Sequence, residues 1–307
     1  MTRLIRVETR RLLSRRLVRT IGMLAVLGML IAGITLFVKS HRVGPGGERT
    51  LLAQAEAQRE KAVAACSRGE FHVPRQAIPP GETLTQFCAE TVAPESTPDP
   101  RFHLTHVKDL IGTNPPLIIL LLVIGASFIG AEWHAGTVGT LLVWEPRRIR
   151  VFIAKAIAIA VFAFVAAIVA QALLAASLVP AAVFRGTTGG ADAAWLRQVV
   201  GLGVRGAIVG SLAALMGFAV ASLGRNTAAA LGAFFVYVAV LEPILRNLRP
   251  KWQPWLLYDN VVTFIQGHAP IFTRYHRSLA GAAVMVTLYT VALTGIAAAA
   301  FLRRDVT

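Results

Sequence analysis

The chain has 307 residues, 55% of them hydrophobic and only 15% charged, with a mean hydropathy of +0.61 and a net charge of +15. That balance excludes an ordinary soluble domain and points to an all-α polytopic membrane protein. The positive excess is uneven, with +6 in residues 1–19, +2 in 132–155, +1 at Arg225 and +1 beyond residue 302, against zero across 39–112. Those basic segments would share one side of a membrane, so the excess reads as a positive-inside signature and not as a nucleic-acid footprint.

Residues 1–19 contain seven Arg and one Glu. Ile5, Thr9, Leu12, Leu13 and Leu17 fall on one helical face, interrupted by Arg16. The pattern predicts an amphipathic interfacial helix with its arginines near anionic headgroups, and it also serves as an orientation signal for the first span. No A-x-A site follows, so a cleaved signal peptide is not expected. The first span covers 20–38. Residues 39–112 carry nine Lys/Arg and nine Asp/Glu and are too polar to cross, so they form an extracytoplasmic insertion. In it Leu52, Ala55, Ala62, Val63 and Cys66 make a narrow stripe, which predicts a helix over 49–66. Pro74, Pro79, Pro80, Pro94, Pro98 and Pro100 then predict irregular chain. The only two cysteines of the sequence, Cys66 and Cys88, both lie in this insertion. In an oxidising exterior a disulfide is the simplest reading, with two free thiols as the alternative. No metal site is expected: neither Cys has a Cys or His at ligand spacing, and the pair His103 and His106 lacks a third ligand.

The second span covers 113–131, with Asn114, Pro115 and Pro116 bending or starting it near its outer end. A cytoplasmic segment, 132–150, follows. Around it residues 128–155 read FIGAEWHAGTVGTLLVWEPRRIRVFIAK, in which an apolar run ends at Glu132 and a Gly/Thr-rich piece leads to a basic cluster. Gly130, Glu132, Gly136, Thr137, Pro146, Arg147, Arg148 and Lys155 stand in an order and spacing that resemble the cytoplasmic loop of type 2 ABC exporter permeases. The resemblance implies that this loop is a coupling helix docking on an ATPase subunit, with Glu132, Gly136, Thr137, Arg147, Arg148 and Lys155 as the coupling residues. The basic N-terminal helix is similar to that family as well.

The third span covers 151–184. Its 29 uncharged residues from 156 onward require it to tilt, break or overrun the bilayer, and Pro180 marks its outer end. Residues 185–197, with Gly186, Gly189 and Gly190, form a short outer loop. The fourth span, 199–224, is rich in small residues, and Gly206, Gly210, Ala213, Ala214 and Gly217 lie near one side, a pattern that permits close helix packing in lipid. Arg205 at its outer end either lines a polar pathway or snorkels to the interface. Arg225, Asn226 and Thr227 form an inner turn, and the stretch 223–232 again resembles the family. The fifth span covers 227–245 and ends around Glu242 and Pro243, where Glu242 is a second candidate pathway or interface residue. Residues 246–277 are an outer segment whose Trp252, Trp255 and Tyr258 suit a re-entrant or interfacial element. The sixth span, 278–302, closes on Arg303 and Arg304.

No G-x-x-x-x-G-K-[ST], H-E-x-x-H, G-x-S-x-G or C-x-x-C motif occurs, so no phosphate cradle or hydrolytic site is expected in the chain. The resemblance implies a transporter subunit and not an enzyme. The permease would work as a homodimer or a related pair, with ATP and Mg held by separate cytoplasmic ATPase subunits. Membrane lipids and an extracytoplasmic accessory protein on 39–112 are the further candidate partners. The expected location is the plasma membrane, multi-pass, with both termini cytoplasmic. The alternatives are a secondary transporter or channel without an ATPase, and a membrane-anchored sensor whose working part is the outer insertion. An apolar permease interior suits drugs, lipids or amphipathic peptides alike.

Overall fold

A computed structural model describes residues 2–40, 45–68, 70, 83–91, 101–112, 115–144, 146–268 and 277–303. The helices in chain order are α1 (Thr2–Ser14), α2 (Arg16–Lys39), α3 (Pro45–Ser67), α4 (Leu84–Thr91), α5 (Val107–Gly112), α6 (Pro115–His134), α7 (Thr137–Trp144), α8 (Arg148–Pro180), α9 (Ala193–Gly224), α10 (Thr227–Phe235), α11 (Glu242–Leu248), α12 (Leu257–Gln266) and α13 (Leu279–Arg303). Among the described residues six runs are long and apolar enough to cross a membrane: Arg16–Lys39, Leu104–His134, Arg148–Arg185, Ala193–Gly224, Thr227–Leu248 and Leu279–Arg303. The chain divides into two compact units, 1–32 with 105–177 and 190–307, and 33–104 with 178–189.

The larger unit is organised on α6 and α9, whose apolar windows are 50% and 61% buried, whereas that of α2 is only 6% buried. Small residues let these two backbones touch. A Cβ on Gly125 would overlap the carbonyl of Ala214, and one on Gly217 would overlap the carbonyl of Leu122. In lipid, where apolar side chains gain little by leaving the solvent, such close packing is what holds helices together. The expected small-residue face of the fourth span is divided between neighbours. Gly210 and Gly217 meet α6, while Gly206 meets the Gln171 amide of α8.

In the smaller unit, Ser40 joins two segments distant in sequence. Its hydroxyl donates to the Arg185 carbonyl at 3.1 Å and accepts from the Phe102 amide at 2.9 Å. His103 and Thr187 form one isolated parallel bridge, and the Arg185 guanidinium lies 4.5 Å from the centre of the Phe37 ring. α3 and α4 are tied by the Cys66–Cys88 disulfide, and both cysteines are buried. Thr83 and Gln86 start α4 with a reciprocal capping box: the Thr83 amide donates to the Gln86 side chain, and the Gln86 amide to the Thr83 hydroxyl. The prolines Pro74 to Pro100, and also Asn114 and Arg304, lie outside the described residues.

Several helices outrun the spans read from hydropathy. Charged residues end an apolar run, but they do not end a helix. The helix that carries the first span begins at Arg16, upstream of residue 20, because α1 and α2 separate at the single residue Arg15. α6 continues to His134, so Glu132 is helical. α8 starts at Arg148, and Lys155 is therefore two turns inside it. α9 starts at Ala193, where the Asp192 carboxylate accepts from the Trp195 amide at 2.7 Å, so Arg205 sits well within the helix. The fifth run passes residue 245 through a π-helical turn, Val236–Leu241, into α11. Pro243 falls in the first turn of α11, where its missing N–H is tolerated.

Candidate functional site: a buried ionic core beneath a short exposed helix

α6 ends in a turn that only glycine enters cheaply. Gly136 has φ +67°, and α7 begins at the next residue, whose hydroxyl donates back to the Glu132 carbonyl at 3.3 Å. α7 is eight residues long and carries two large apolar side chains in the open: Val143 is 81% exposed and Trp144 84%.

Behind α7 lies a network of charges taken out of solvent. The Lys155 ammonium of α8 is 2.7 Å from the Glu8 carboxylate of α1 and 2.8 Å from the Glu132 carboxylate of α6. Arg15 donates to Glu132 at 3.1 Å and to the Ser127 carbonyl at 2.8 Å. Arg11 approaches Glu8 from the rim at 3.5 Å. The side chains of Glu8 and Lys155 are each 1% exposed. Charges so deeply buried are tolerated only when paired and hydrogen-bonded, and here each carboxylate meets two cations.

An aromatic floor supports this layer. The Phe128 ring lies 5.1 Å from the Arg15 guanidinium and 4.9 Å from the Lys155 ammonium, so its π face meets two cations. Phe152 stacks at 5.2 Å on Phe218 and at 5.6 Å on Phe301, and Trp133 meets Phe301 edge-on at 6.0 Å. The core thereby ties α1, α6, α8, α9 and α13 into one piece. The turn between α9 and α10 joins it as well: Arg225 lies 4.7 Å from the centre of the Trp133 ring, and Gly130 abuts Thr227 too closely for any side chain. The segments 128–155 and 223–232 are thus neighbours in space.

The expected site residues are not all gathered here. Glu132, Thr137 and Lys155 are joined by the contacts above, and Gly136 supplies the turn. Arg147 is exposed at the start of α8 and Arg148 is half-buried in its first turn, about 10 Å along the helix from Lys155. Glu8 and Arg15 were not singled out, although Glu8 is the one acid among seven arginines in 1–19. The inward face of α1 is set by Glu8 and Leu12, both 0% exposed, whereas Leu13 and Leu17 remain 53% and 41% exposed.

Arg205 and Glu242 lie elsewhere. Arg205 donates to the Gly201 carbonyl of its own helix at 3.2 Å and packs against Gly267, which ends α12 with φ +83°. Glu242 is 1% exposed, and both its oxygens accept from the Tyr258 amide, at 3.0 and 3.2 Å, so the acid caps the N-terminus of α12. Arg246 of α11 pairs with Asp259 of α12 at 2.8 Å. Burial pushes the Asp259 carboxyl up, and Arg246 partly offsets this. Gln171, also missed, donates to the Gly203 carbonyl at 3.2 Å and pins α8 to α9.

These features define a helical protein with six segments able to cross a membrane, built on a rigid ionic and aromatic core. Compared with family models, with curated proteins and with solved structures, the chain matches none.

Proposed function

We propose that the chain is the transmembrane subunit of an ATP-driven exporter of the type 2 ABC class, that it works as a dimer, and that α7 is the element on which a cytoplasmic ATPase docks. The observation that carries this reading is the pairing of an exposed apolar knob with a stiff support. Val143 and Trp144 stand 81% and 84% exposed on a short helix, and the helix is set off by the Gly136 turn from a core that locks α1, α6 and α8 together. A docking element must transmit force, and a packed, ion-paired core does so without yielding. The order of Gly130, Glu132, Gly136, Thr137, Pro146, Arg147, Arg148 and Lys155 supports the same class. A carrier driven by an ion gradient is less well supported. The buried acid of the fifth span, Glu242, is engaged at the start of α12, where one amide bridges its two oxygens.

The test is purification of the tagged chain from its native membrane, with ATP hydrolysis and the co-purifying subunit measured in nanodiscs. The wild type is expected to bring down an ATPase. Trp144→Ala should lose it or uncouple it while keeping the wild-type melting temperature, because Trp144 is exposed, and Gly136→Trp should do the same with some loss of stability, because the φ of +67° strains any side chain even though nothing lies within 4 Å of a Cβ there. An ATPase bound and stimulated equally in both variants, or none with the wild type, would remove α7 as the docking element.

A further inference from the structure

The ionic core does not sum to zero. Among the described residues that form it, Glu8 and Glu132 supply two negative charges, while Arg11, Arg15 and Lys155 supply three positive ones. The surplus charge stands at Arg11, whose side chain is 52% exposed. It opens onto a cleft of about 720 Å³ walled by Arg11, Ser14 and Arg15 on one side and by Thr137, Thr140 and Trp144 on the other. Lys155 and Arg15 neutralise the Glu132 carboxylate on its floor, and the Ser14 and Thr137 hydroxyls donate to backbone carbonyls, so the cleft offers an anion the Arg11 guanidinium and the Thr140 hydroxyl. Thr137 and Thr140 also place the first turn of α7 against it, the end of a helix at which negative charge is favoured.

We infer that this cleft binds the phosphodiester of one anionic phospholipid. One phosphodiester carries one negative charge, which equals the surplus. The surroundings of the cleft argue for a lipid over a soluble phosphate. Leu13, between Arg11 and Arg15 in sequence, is 53% exposed, and Leu17 is 41% exposed at the start of the first membrane-length helix. Apolar groups flanking a guanidinium suit the boundary between headgroup and acyl chain. The inference needs the helices to lie in a membrane but needs no ATPase, so it stands or falls separately from the docking role of α7.

The experiment is native mass spectrometry of the full chain in non-ionic detergent, titrated with phosphatidylglycerol, with phosphatidylcholine of the same acyl chains, and with glycerol 3-phosphate. The wild type should retain one phosphatidylglycerol about tenfold more tightly than phosphatidylcholine, the expectation for one charge-assisted contact. Arg11→Gln should erase that preference, and Thr140→Val on the opposite wall should reduce it. Arg3→Gln, equally exposed on α1 but outside the cleft, should keep it. Equal binding of the two lipids by the wild type, or a preference that survives both cleft substitutions, overturns the site. Displacement of the lipid by equimolar glycerol 3-phosphate overturns the lipid assignment in favour of a soluble phosphate.

Discussion

Lys155→Met tests whether the ionic core holds α1 in place. The ammonium is the main partner of Glu8, at 2.7 Å, since the other cation near that acid, Arg11, is 3.5 Å away and half-exposed. Glu132 keeps Arg15 at 3.1 Å, so the loss falls on Glu8. Removing one member of a buried pair costs about 3–5 kcal/mol, because the remaining charge is left without a partner. Glu8 can relax by drawing Arg11 inward, which places the expected cost near the lower end, about 3 kcal/mol. Glu8→Leu together with Lys155→Met removes both charges and should cost less than Lys155→Met alone. Equilibrium unfolding in mixed micelles measures the difference. Tryptic cleavage after Arg10 and Arg11 in nanodiscs gives the local readout, since a detached α1 loses the helical structure that protects these exposed sites. If Lys155→Met unfolds within about 0.5 kcal/mol of the wild type, the size of an ordinary surface substitution, the core is not what fixes α1. A double variant less stable than the single one would refute the charge argument itself.

Two further outcomes follow from the packing. Cys66→Ser opens a disulfide that closes a loop of 22 residues, and should destabilise the 33–104 unit by about 3 kcal/mol, read as faster proteolysis of α3 and α4 with the membrane helices unaffected. Gly217→Val drives a branched side chain into the Leu122 carbonyl, and should abolish monodisperse protein on size exclusion, whereas Gly28→Ala, with nothing within 4 Å, should elute as the wild type does.

The membrane helices were legible because hydropathy and length report them directly, and their ends were not, because a helix continues through Arg148 or Glu132 once its backbone bonds are made. The cysteine pair was legible for a different reason: two cysteines in one polar insertion leave few partners. The ionic core was half legible. Glu132 and Lys155 could be marked from their neighbours in sequence. Glu8 lies 147 residues from Lys155, and nothing local signals that a single acid in an arginine-rich helix turns inward. The apolar stripe Ile5, Thr9, Leu12, Leu13 and Leu17 marked one face for the membrane interface, and of it Leu12 turns inward beside Glu8 while Leu13 and Leu17 stay exposed.

That inward turn has a consequence for how α7 can work. A helix held only by an apolar stripe can slide or roll, because dispersion contacts are non-directional and near-degenerate. One held by Glu8 to Lys155 at 2.7 Å has one register, since a shift of a single residue moves the acid about 100° around the helix and strands both charges. Lys155 in turn fixes Glu132, only four residues before the Gly136 turn from which α7 departs. Val138 of α7 is itself buried in the core, so the base of the helix is held while Val143 and Trp144 stand exposed at its far end. A push on Val143 or Trp144 would reach α1, α6 and α8 together through the shared ammonium.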